Sequence, residues 1–172
     1  MTIEPVSLEL YDRDFDRFSA EIGAAFERYG FAVLGSHGLD QALVDGAVAR
    51  TKAFFALPEA LKRRYLIENG GGQRGYTPFG IETAKGAKLH DLKEFWHVGR
   101  TLPLDHPYRR YMPDNVWPQE IEGFETYVGG LFDALDGLGK RVLRAVARHL
   151  GLQERFFDEP VRLGNSILRL LH

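Results

Sequence analysis

The sequence predicts an α+β fold in which a mainly helical N-terminal region packs on a terminal β-strand. Residues 15–29 and 40–57 carry apolar side chains at steps of three and four, the period of an amphipathic helix. The last stretch, 163–172, reads LGNSILRLLH, and from Ser166 onward its apolar residues occupy both faces of an extended chain. A strand of this kind is covered on both sides, so we expect the helices to pack around it.

Composition narrows the class of protein. The 172 residues suit a single unit, 1–172, and the net charge of −2, without a basic stripe, disfavours nucleic-acid binding. The absence of cysteine excludes disulfides and thiolate metal sites. No apolar run approaches the roughly 20 residues of a membrane span, and the N-terminus lacks a signal-peptide pattern. We therefore expect a cytoplasmic protein that binds neither nucleic acid nor membrane.

The first forty residues predict one helix between two short strands. Residues 3–10 alternate loosely and indicate an edge strand. Asp12 or Asp14 caps the helix and Gly30 ends it. Its apolar stripe consists of Phe15, Phe18, Ile22, Phe26 and Tyr29. The apolar run 31–34 then predicts a buried strand that leads into a turn.

The middle of the chain predicts a second helix and then extended or irregular segments. The helix begins near Asp40 and ends at Leu57, because a residue before proline is pushed out of helical geometry. Pro58 begins a short helix that continues to Tyr65. The segments that follow are a flexible loop at 68–75, extended stretches at 76–79 and 89–98, a loop at 83–88 and an irregular stretch with four prolines at 99–118.

A long helical pattern follows at 119–151, either as one helix or as a broken one. Four glycines lie within it, and each costs about 1 kcal/mol relative to alanine in a helix. They predict close packing against a neighbour, or a kink near 129–130 or 137–139. One further turn at 154–157 and Pro160 then lead into the terminal strand.

The histidines do not predict a metal site. Six are present, and none forms H-E-x-x-H or H-x-D, the patterns of a zinc helix and of an iron triad. His90 and His97 lie on one predicted strand, but their odd separation sends them to opposite faces. We therefore assign no metal ligand and no catalytic residue to this chain.

Arg169 is the sharpest candidate for ligand binding. Alternation along the terminal strand places it on the same face as Asn165, Ile167 and Leu171, with Ser166, Leu168, Leu170 and His172 on the other. A guanidinium inside a sheet structure needs an anionic partner. That partner is either the carboxylate of a substrate or cosubstrate, or a protein carboxylate such as Glu94 in a buried ion pair.

A second candidate region surrounds the glycine-rich loop ENGGGQRG. It lacks the G-K-[ST] of a phosphate cradle, so we interpret it as a mobile loop that borders a cleft. Arg74 and Tyr76 follow it and suit substrate binding, and a solvated arginine and a core tyrosine are the alternatives. For the charged residues of 91–97, which include Glu94, a structural salt bridge is the alternative to catalysis.

The order of several segments resembles the isopenicillin N synthase-like branch of the Fe(II)/2-oxoglutarate-dependent oxygenases. These segments are YGFAVLGSHGLD at 29–40, FFALPEALKRRY at 54–65, RGYTPFGIETAKG at 74–86, DLKEFWHV at 91–98 and LGNSILRLLH at 163–172. The resemblance covers most of the chain but only the N-terminal half of the family pattern.

The resemblance implies a helical N-terminal region packed on the first strands of a double-stranded β-helix, or jelly roll, that is incomplete in this chain. Residues 1–118 would form the N-terminal oxygenase region, 119–151 a supporting helix, and 163–172 the first part of the jelly-roll core. Fe(II), 2-oxoglutarate and dioxygen are implied, with an H-x-D…H triad beyond His172. Arg169 matches a pocket-facing basic position of some relatives, while Leu171 stands where several relatives have a cosubstrate-contacting asparagine.

The same resemblance implies an enzyme, an Fe(II)/2-oxoglutarate-dependent dioxygenase that hydroxylates or oxidises a small molecule. A 2-oxoglutarate-independent iron oxidase and a non-catalytic binding module of the same fold remain alternatives. We expect this chain alone to be inactive and prone to aggregation, because a jelly roll cut here leaves unpaired strand edges and an uncovered apolar face.

Overall fold

The computed structural model of the chain describes residues 3–68, 70–81 and 91–172, so the predicted loop at 83–88 and His90 lie outside the described residues. The mixture of helices and strands confirms the predicted α+β class. The chain forms two compact units, Met1–Asp40 with Ala134–Gly164, and Gln41–Asp133 with Asn165–His172. The division at 118, 151 and 163 stays a prediction.

The regular elements follow in chain order. They are β1 (Val6–Ser7), α1 (Glu9–Arg13), α2 (Phe15–Tyr29), β2 (Leu34–Gly35), α3 (Gln41–Phe55), α4 (Glu59–Lys62), a 3₁₀ turn (Arg63–Tyr65), β3 (Gly75–Thr77), β4 (Phe95–Gly99), a 3₁₀ turn (Pro107–Arg110), a π-helical turn (Glu125–Gly129), α5 (Gly130–His149), α6 (Asp158–Arg162) and β5 (Ile167–Leu171). Within the described residues, every helix is too short or too polar to span a bilayer.

Helix α2 begins and ends where its sequence signals lie. The Asp14 side chain accepts a hydrogen bond from the Arg17 amide at 3.1 Å, which satisfies an amide that the helix leaves open. Gly30 ends the helix with φ of 76°, a left-handed conformation that glycine adopts without a steric penalty. Phe18 and Ile22 of the predicted apolar stripe are fully buried, whereas Phe26 is 40% exposed.

The segment before α2 differs from the prediction of an edge strand at 3–10. Only Val6–Ser7 is extended, and it pairs in parallel with Leu34–Gly35. Residues Glu9–Arg13 form the short helix α1. Leu8 is buried in the first unit, and a helical turn after it lets Tyr11 pack against the same apolar cluster. A short apolar pattern of this kind is ambiguous between strand and helix.

The core of the first unit lies between α2 and the part of α5 that belongs to this unit. The Ser19 hydroxyl donates to the Ala145 carbonyl at 2.7 Å in a buried contact. At the surface, Arg148 forms an ion pair with Asp16 at 2.8 Å. The buried apolar residues are Val6, Leu8, Phe18, Ile22 and Ala145.

The core of the second unit is built around Trp96. Its ring lies 4.7 Å from the ring of Phe54 on α3 and 5.2 Å from that of Phe124, in edge-on contacts that aromatic rings favour. Helix α3 ends at Phe55, as the proline at position 58 predicts, and the short helix that follows is confirmed as α4 and a 3₁₀ turn.

The long helical pattern changes type at its first pair of glycines. A π-helical turn ends at Gly129 and α5 begins at Gly130, so the helix changes type at the predicted position while Gly130 keeps right-handed helical backbone angles. A Cβ atom at Gly130 would lie 3.2 Å from Leu43, which is close packing. No break occurs at Gly137 or Gly139, where open space surrounds the backbone. Residues 119–123 are not helical, although the predicted pattern included them. Helix α6 includes Pro160, which was expected to lead into the strand.

A three-stranded antiparallel sheet with the order β3-β4-β5 belongs to the second unit. Of the predicted strand at 89–98, residues 89–90 lie outside the described residues, residues 91–94 are not part of a strand, and β4 covers Phe95–Gly99. The register places His97 opposite both Gly75 and Arg169. Of the stretch at 99–118 that was predicted to be irregular, Gly99 ends β4, and residues 100–118 are irregular apart from one 3₁₀ turn.

Candidate functional site

The three-stranded sheet has two chemically different faces. One face packs on the Trp96 core and carries Tyr76, Trp96, Val98, Leu168 and Leu170. The other, which we call the Arg169 face, carries Thr77, Phe95, His97, Ile167, Arg169 and Leu171. The predicted alternation along both strands is confirmed. On the Arg169 face, β5 is open to solvent, with Ile167 38% and Leu171 60% exposed.

Arg169 is held at the centre of this face by two aromatic side chains. Its Nε donates to Nε2 of His97 at 2.6 Å, and its guanidinium carbon lies 4.4 Å from the centroid of the Phe95 ring. His97 and Phe95 are themselves buried, whereas Arg169 is exposed. The guanidinium therefore has a defined orientation at the surface, and the alternative of a buried ion pair does not describe it.

His97 also joins the sheet to the glycine-rich loop. Its Nδ1 contacts the carbonyl oxygen of Gly72 at hydrogen-bonding distance, while its Nε2 contacts Arg169. Beside this contact lies an open cavity of about 410 Å³. The described residues that line it are Leu66, Ile67, Glu68, Gly70, Gly71, Gly72, Thr77 and Ile81. The loop thus adjoins both a cavity and the residue that contacts Arg169.

Glu94 does not pair with Arg169, so that predicted alternative is wrong. The Nζ atom of Lys62 lies 2.7 Å and 2.9 Å from the two Glu94 carboxylate oxygens. The Tyr76 hydroxyl donates to the same carboxylate, and Nδ1 of His172 lies 3.0 Å from it. Glu94 and Arg169 belong to opposite faces of the sheet, which is why they do not meet.

The Lys62–Glu94 pair is a structural feature of the core. Glu94 is 1% exposed, and burial raises the pKa of its carboxyl. Hydrogen bonds from Lys62, Tyr76 and His172 outweigh burial, so the pKa of Glu94 lies below its ordinary value and the group stays charged. Burial first, and the hydrogen bond to Glu94 second, raise the pKa of Tyr76. This arrangement favours the salt-bridge interpretation of Glu94 over catalysis.

Tyr76 lies on the opposite face of the sheet from Arg169, and Arg74 is buried at the end of β4. Tyr76 is 1% exposed and belongs to the core face, which favours the core-tyrosine alternative. Arg74 is also 1% exposed, so the alternative of a solvated arginine is wrong. The structure therefore does not bring the three predicted binding residues together, and their substrate-binding role stays a prediction.

Arg74 packs against the end of β4. Its guanidinium donates to the Gln73 carbonyl at 2.8 Å, and a Cβ atom added to Gly99 would lie 2.0 Å from its Cζ atom. Position 99 is therefore glycine because the arginine fills the space of a side chain. Burial lowers the pKa of Arg74, and Asp114 partly opposes this effect.

A second cavity, of about 510 Å³, lies beside Gly99. It is bordered by the π-helical turn and by Asn115 and Trp117. Arg100 lines it together with Glu125 and Asp133, so its lining carries one positive and two acidic side chains and does not favour an anion.

The described part of the chain contains no group of three or more histidine, aspartate or glutamate side chains that could hold a metal ion. These residues therefore do not fit an Fe(II) centre.

Sequence reasoning missed Lys62 and the role of His97. It placed His97 on a predicted strand, but it did not connect that residue with Arg169. Even separations along β4 and along β5 were the available signal, since they place residues on the same face of each strand. The register between the two strands, which brings His97 opposite Arg169, has no local signature.

Comparison with known proteins identifies the family. Residues 3–120 match the family model described as "non-haem dioxygenase in morphine synthesis N-terminal". The chain belongs to this non-haem dioxygenase family, and the predicted resemblance to the N-terminal half of the Fe(II)/2-oxoglutarate oxygenases is confirmed.

Similar proteins are known by sequence and by structure. A 2OG-Fe(II) oxygenase family protein from Caulobacter crescentus shares 56% identity with a TM-score of 0.91, over 99% of this chain and 55% of its own. A full-length protein of Neurospora crassa, solved in complex with α-ketoglutarate, shares 26% identity with a TM-score of 0.82, over 98% of this chain and 53% of its own. The 2-oxoglutarate-dependent dioxygenase caaD of Aspergillus niger is 32% identical over 88% of this chain and 48% of its own. The chain thus spans about half the length of the curated relatives it matches.

Proposed function

We propose that the chain is the N-terminal half of a non-haem iron enzyme. The enzyme couples decarboxylation of 2-oxoglutarate and activation of dioxygen to hydroxylation or oxidation of a small molecule. The observation that carries this proposal is the family match over residues 3–120, together with relatives named 2-oxoglutarate-dependent dioxygenases. Fe(II), 2-oxoglutarate and dioxygen are the cofactor and cosubstrates that it assigns. Neighbours solved with α-ketoglutarate, and with 2OG and Fe, support this assignment.

The iron ligands belong to the part of the full-length protein that this chain does not include. The absence of a donor cluster from the described residues supports this, as does coverage of about half of each relative. An H-x-D…H triad and the remaining jelly-roll strands would lie there. For the same reason, residues 1–172 alone would not turn over 2-oxoglutarate and would be prone to aggregation.

Arg169 contributes the anion-binding group of this chain. Its planar guanidinium matches a carboxylate in a two-point contact, and its exposed position on an otherwise apolar strand face supports access by a ligand. We assign it to an acidic group of the small-molecule substrate. Arg74 and Tyr76 contribute indirectly in this proposal, because Arg74 packs on the end of β4 and Tyr76 hydrogen-bonds the buried Glu94.

Anaerobic calorimetric titration of the full-length protein tests the proposal. We expect Fe(II) to bind and 2-oxoglutarate to bind tightly only when Fe(II) is present. The variant Arg169→Gln is expected to keep both events, since the iron and 2-oxoglutarate sites are assigned elsewhere. A wild-type protein that binds neither compound would contradict the proposed function and favour a binding module.

Oxygen consumption separates the two kinds of iron enzyme. We expect uptake to depend on added 2-oxoglutarate and to yield equimolar succinate. Uptake that proceeds equally without 2-oxoglutarate would identify an iron oxidase instead.

A further inference from the structure

The hydrogen bonds of His97 define the protonation state of its ring. An arginine N–H can only donate, so Nε2 of His97 accepts from Arg169 with its lone pair. A backbone carbonyl can only accept, so Nδ1 carries the proton and donates to Gly72. The ring is therefore neutral with its proton on Nδ1. A second proton on Nε2 would oppose the Arg169 N–H.

We infer that His97 is a positioning residue that orients Arg169 for an anionic ligand and couples that orientation to the loop at 70–73. This inference rests on the ligand-binding role proposed for Arg169. His97 does not contact the ligand itself. It connects Arg169 on β5 with Gly72 in the loop, which are not paired in the sheet.

The residues around His97 support its role in orienting Arg169. The residue is 6% exposed, and its ring lies 4.6 Å from that of Phe95, which also packs under the Arg169 guanidinium. Two contacts, one to Nε and one to the guanidinium face, therefore define the plane of the arginine. An arginine that is already oriented loses less conformational entropy when a carboxylate binds.

The loop side of the link depends on the backbone of Gly72. Its φ of 66° is left-handed, and a Cβ atom there would lie 3.2 Å from the Thr77 hydroxyl. Glycine at this position allows the carbonyl to reach the buried imidazole. The loop is consequently tethered to the same side chain that orients Arg169.

Two substitutions separate the two halves of the link in the full-length protein. In His97→Gln the amide oxygen can occupy the place of Nε2 and accept from Arg169, but the Nδ1 donor is lost. In His97→Asn the amide nitrogen can occupy the place of Nδ1 and donate to Gly72, but the acceptor for Arg169 is lost. The two variants have the same amide group, and a thermal unfolding curve of each one shows whether it is folded.

Three readouts follow these variants. Sodium benzoate serves as a carboxylate probe, with its affinity measured by NMR titration. Exchange of the Arg169 Nε–H reports the orientation of the arginine, and backbone hydrogen exchange reports the loop. We expect His97→Gln to keep probe affinity and Nε–H exchange within about threefold and to accelerate loop exchange roughly tenfold. His97→Asn is expected to weaken probe binding and accelerate Nε–H exchange roughly tenfold, with little change in the loop.

Two kinds of result would contradict the inference about His97. If both variants change all three readouts by the same factor, His97 is only a structural residue and the inference is wrong. If the variants do not fold, ¹⁵N-histidine NMR of the wild-type protein decides: a His97 that is protonated, or that carries its proton on Nε2, overturns the inference.

The variant Arg169→Gln distinguishes this inference from the proposed function. If it binds benzoate as well as the wild type does, Arg169 is not the carboxylate site and that part of the proposed function fails. The crossed pattern of Nε–H and loop exchange in the His97 variants would still support the link itself.

Discussion

The buried pair of Lys62 and Glu94 gives the most direct test of how the core is held together. The substitution Glu94→Gln keeps the shape of the side chain and removes its charge. Lys62 then remains as a buried ammonium, 3.3 Å from the Phe55 carbonyl, without the carboxylate that lies at 2.7 Å and 2.9 Å. Removing one partner of a buried ion pair costs about 3–5 kcal/mol, so we expect the free energy of unfolding to fall by that amount.

Urea unfolding of the full-length protein measures this loss, and Glu59→Gln provides the matched control. Glu59 pairs with Arg63 at 2.6 Å, almost the same distance, but the two side chains are 60% and 50% exposed. An exposed pair contributes little, so we expect the control to change stability by less than about 1 kcal/mol. Adding Lys62→Met to Glu94→Gln is expected to restore part of the loss, because no unpaired ammonium is then buried.

The effect of Glu94→Gln should also depend on pH. The pKa of Glu94 is lower in the folded protein than its ordinary value, so the folded state binds fewer protons at this group than the unfolded state. Its contribution is therefore complete above about pH 4.5, the region of an ordinary glutamate, and is lost as pH falls through the lower folded pKa. The reasoning would be refuted if Glu94→Gln lowered the free energy of unfolding by no more than Glu59→Gln does. It would also be refuted if the loss in Glu94→Gln did not shrink at low pH.

Three glycine substitutions test the packing around the helices and the sheet, each by urea unfolding. Gly99→Ala should destabilise by about 1–3 kcal/mol, since its Cβ would lie 2.0 Å from the buried Arg74 guanidinium; an unchanged midpoint would contradict this packing. Gly46→Ala in α3 should also destabilise, because its Cβ would lie 2.1 Å from the Tyr127 ring. Gly137→Ala in α5 should stabilise by about 0.5–1 kcal/mol, since nothing lies within 4 Å and alanine favours the helix; a loss there would show an unrecognised contact.

Local sequence signals predicted the longer helices well. Helix α2 has an aspartate cap at position 14, an apolar stripe and a terminal glycine at position 30, and the cap and the glycine act through neighbours in the same helix. The glycines of the long helix were harder to interpret, because glycine occurs there in different surroundings. Gly130 approaches Leu43, a contact that depends on a distant part of the chain, whereas Gly137 faces open space.

The site itself depends on pairings that local patterns do not encode. Lys62 and Glu94 are 32 residues apart, and His97 and Arg169 are 72 apart. Alternation along the terminal strand correctly separated Arg169 from Leu168 and Leu170, but it could not indicate which residue of β4 lies opposite Arg169. The prediction that Glu94 partners Arg169 failed for this reason: both residues were assigned to strands, and the face of one strand had not been matched to the face of the other.

The register that creates the Arg169 site follows from the leucines beside it. Leu168 and Leu170 pack against the Trp96 core, and alternation then directs Arg169 to the opposite face. A slip of one residue would exchange these faces, which would bury a guanidinium beside Trp96 and expose two leucines. A fully buried leucine contributes about 1.5–3 kcal/mol, so these two partly buried leucines contribute less than that each. An uncompensated buried charge costs more, so the alternative register is strongly disfavoured. The position of the candidate anion-binding group is thus determined by apolar packing on the far side of the sheet, and His97 then selects the orientation of that group.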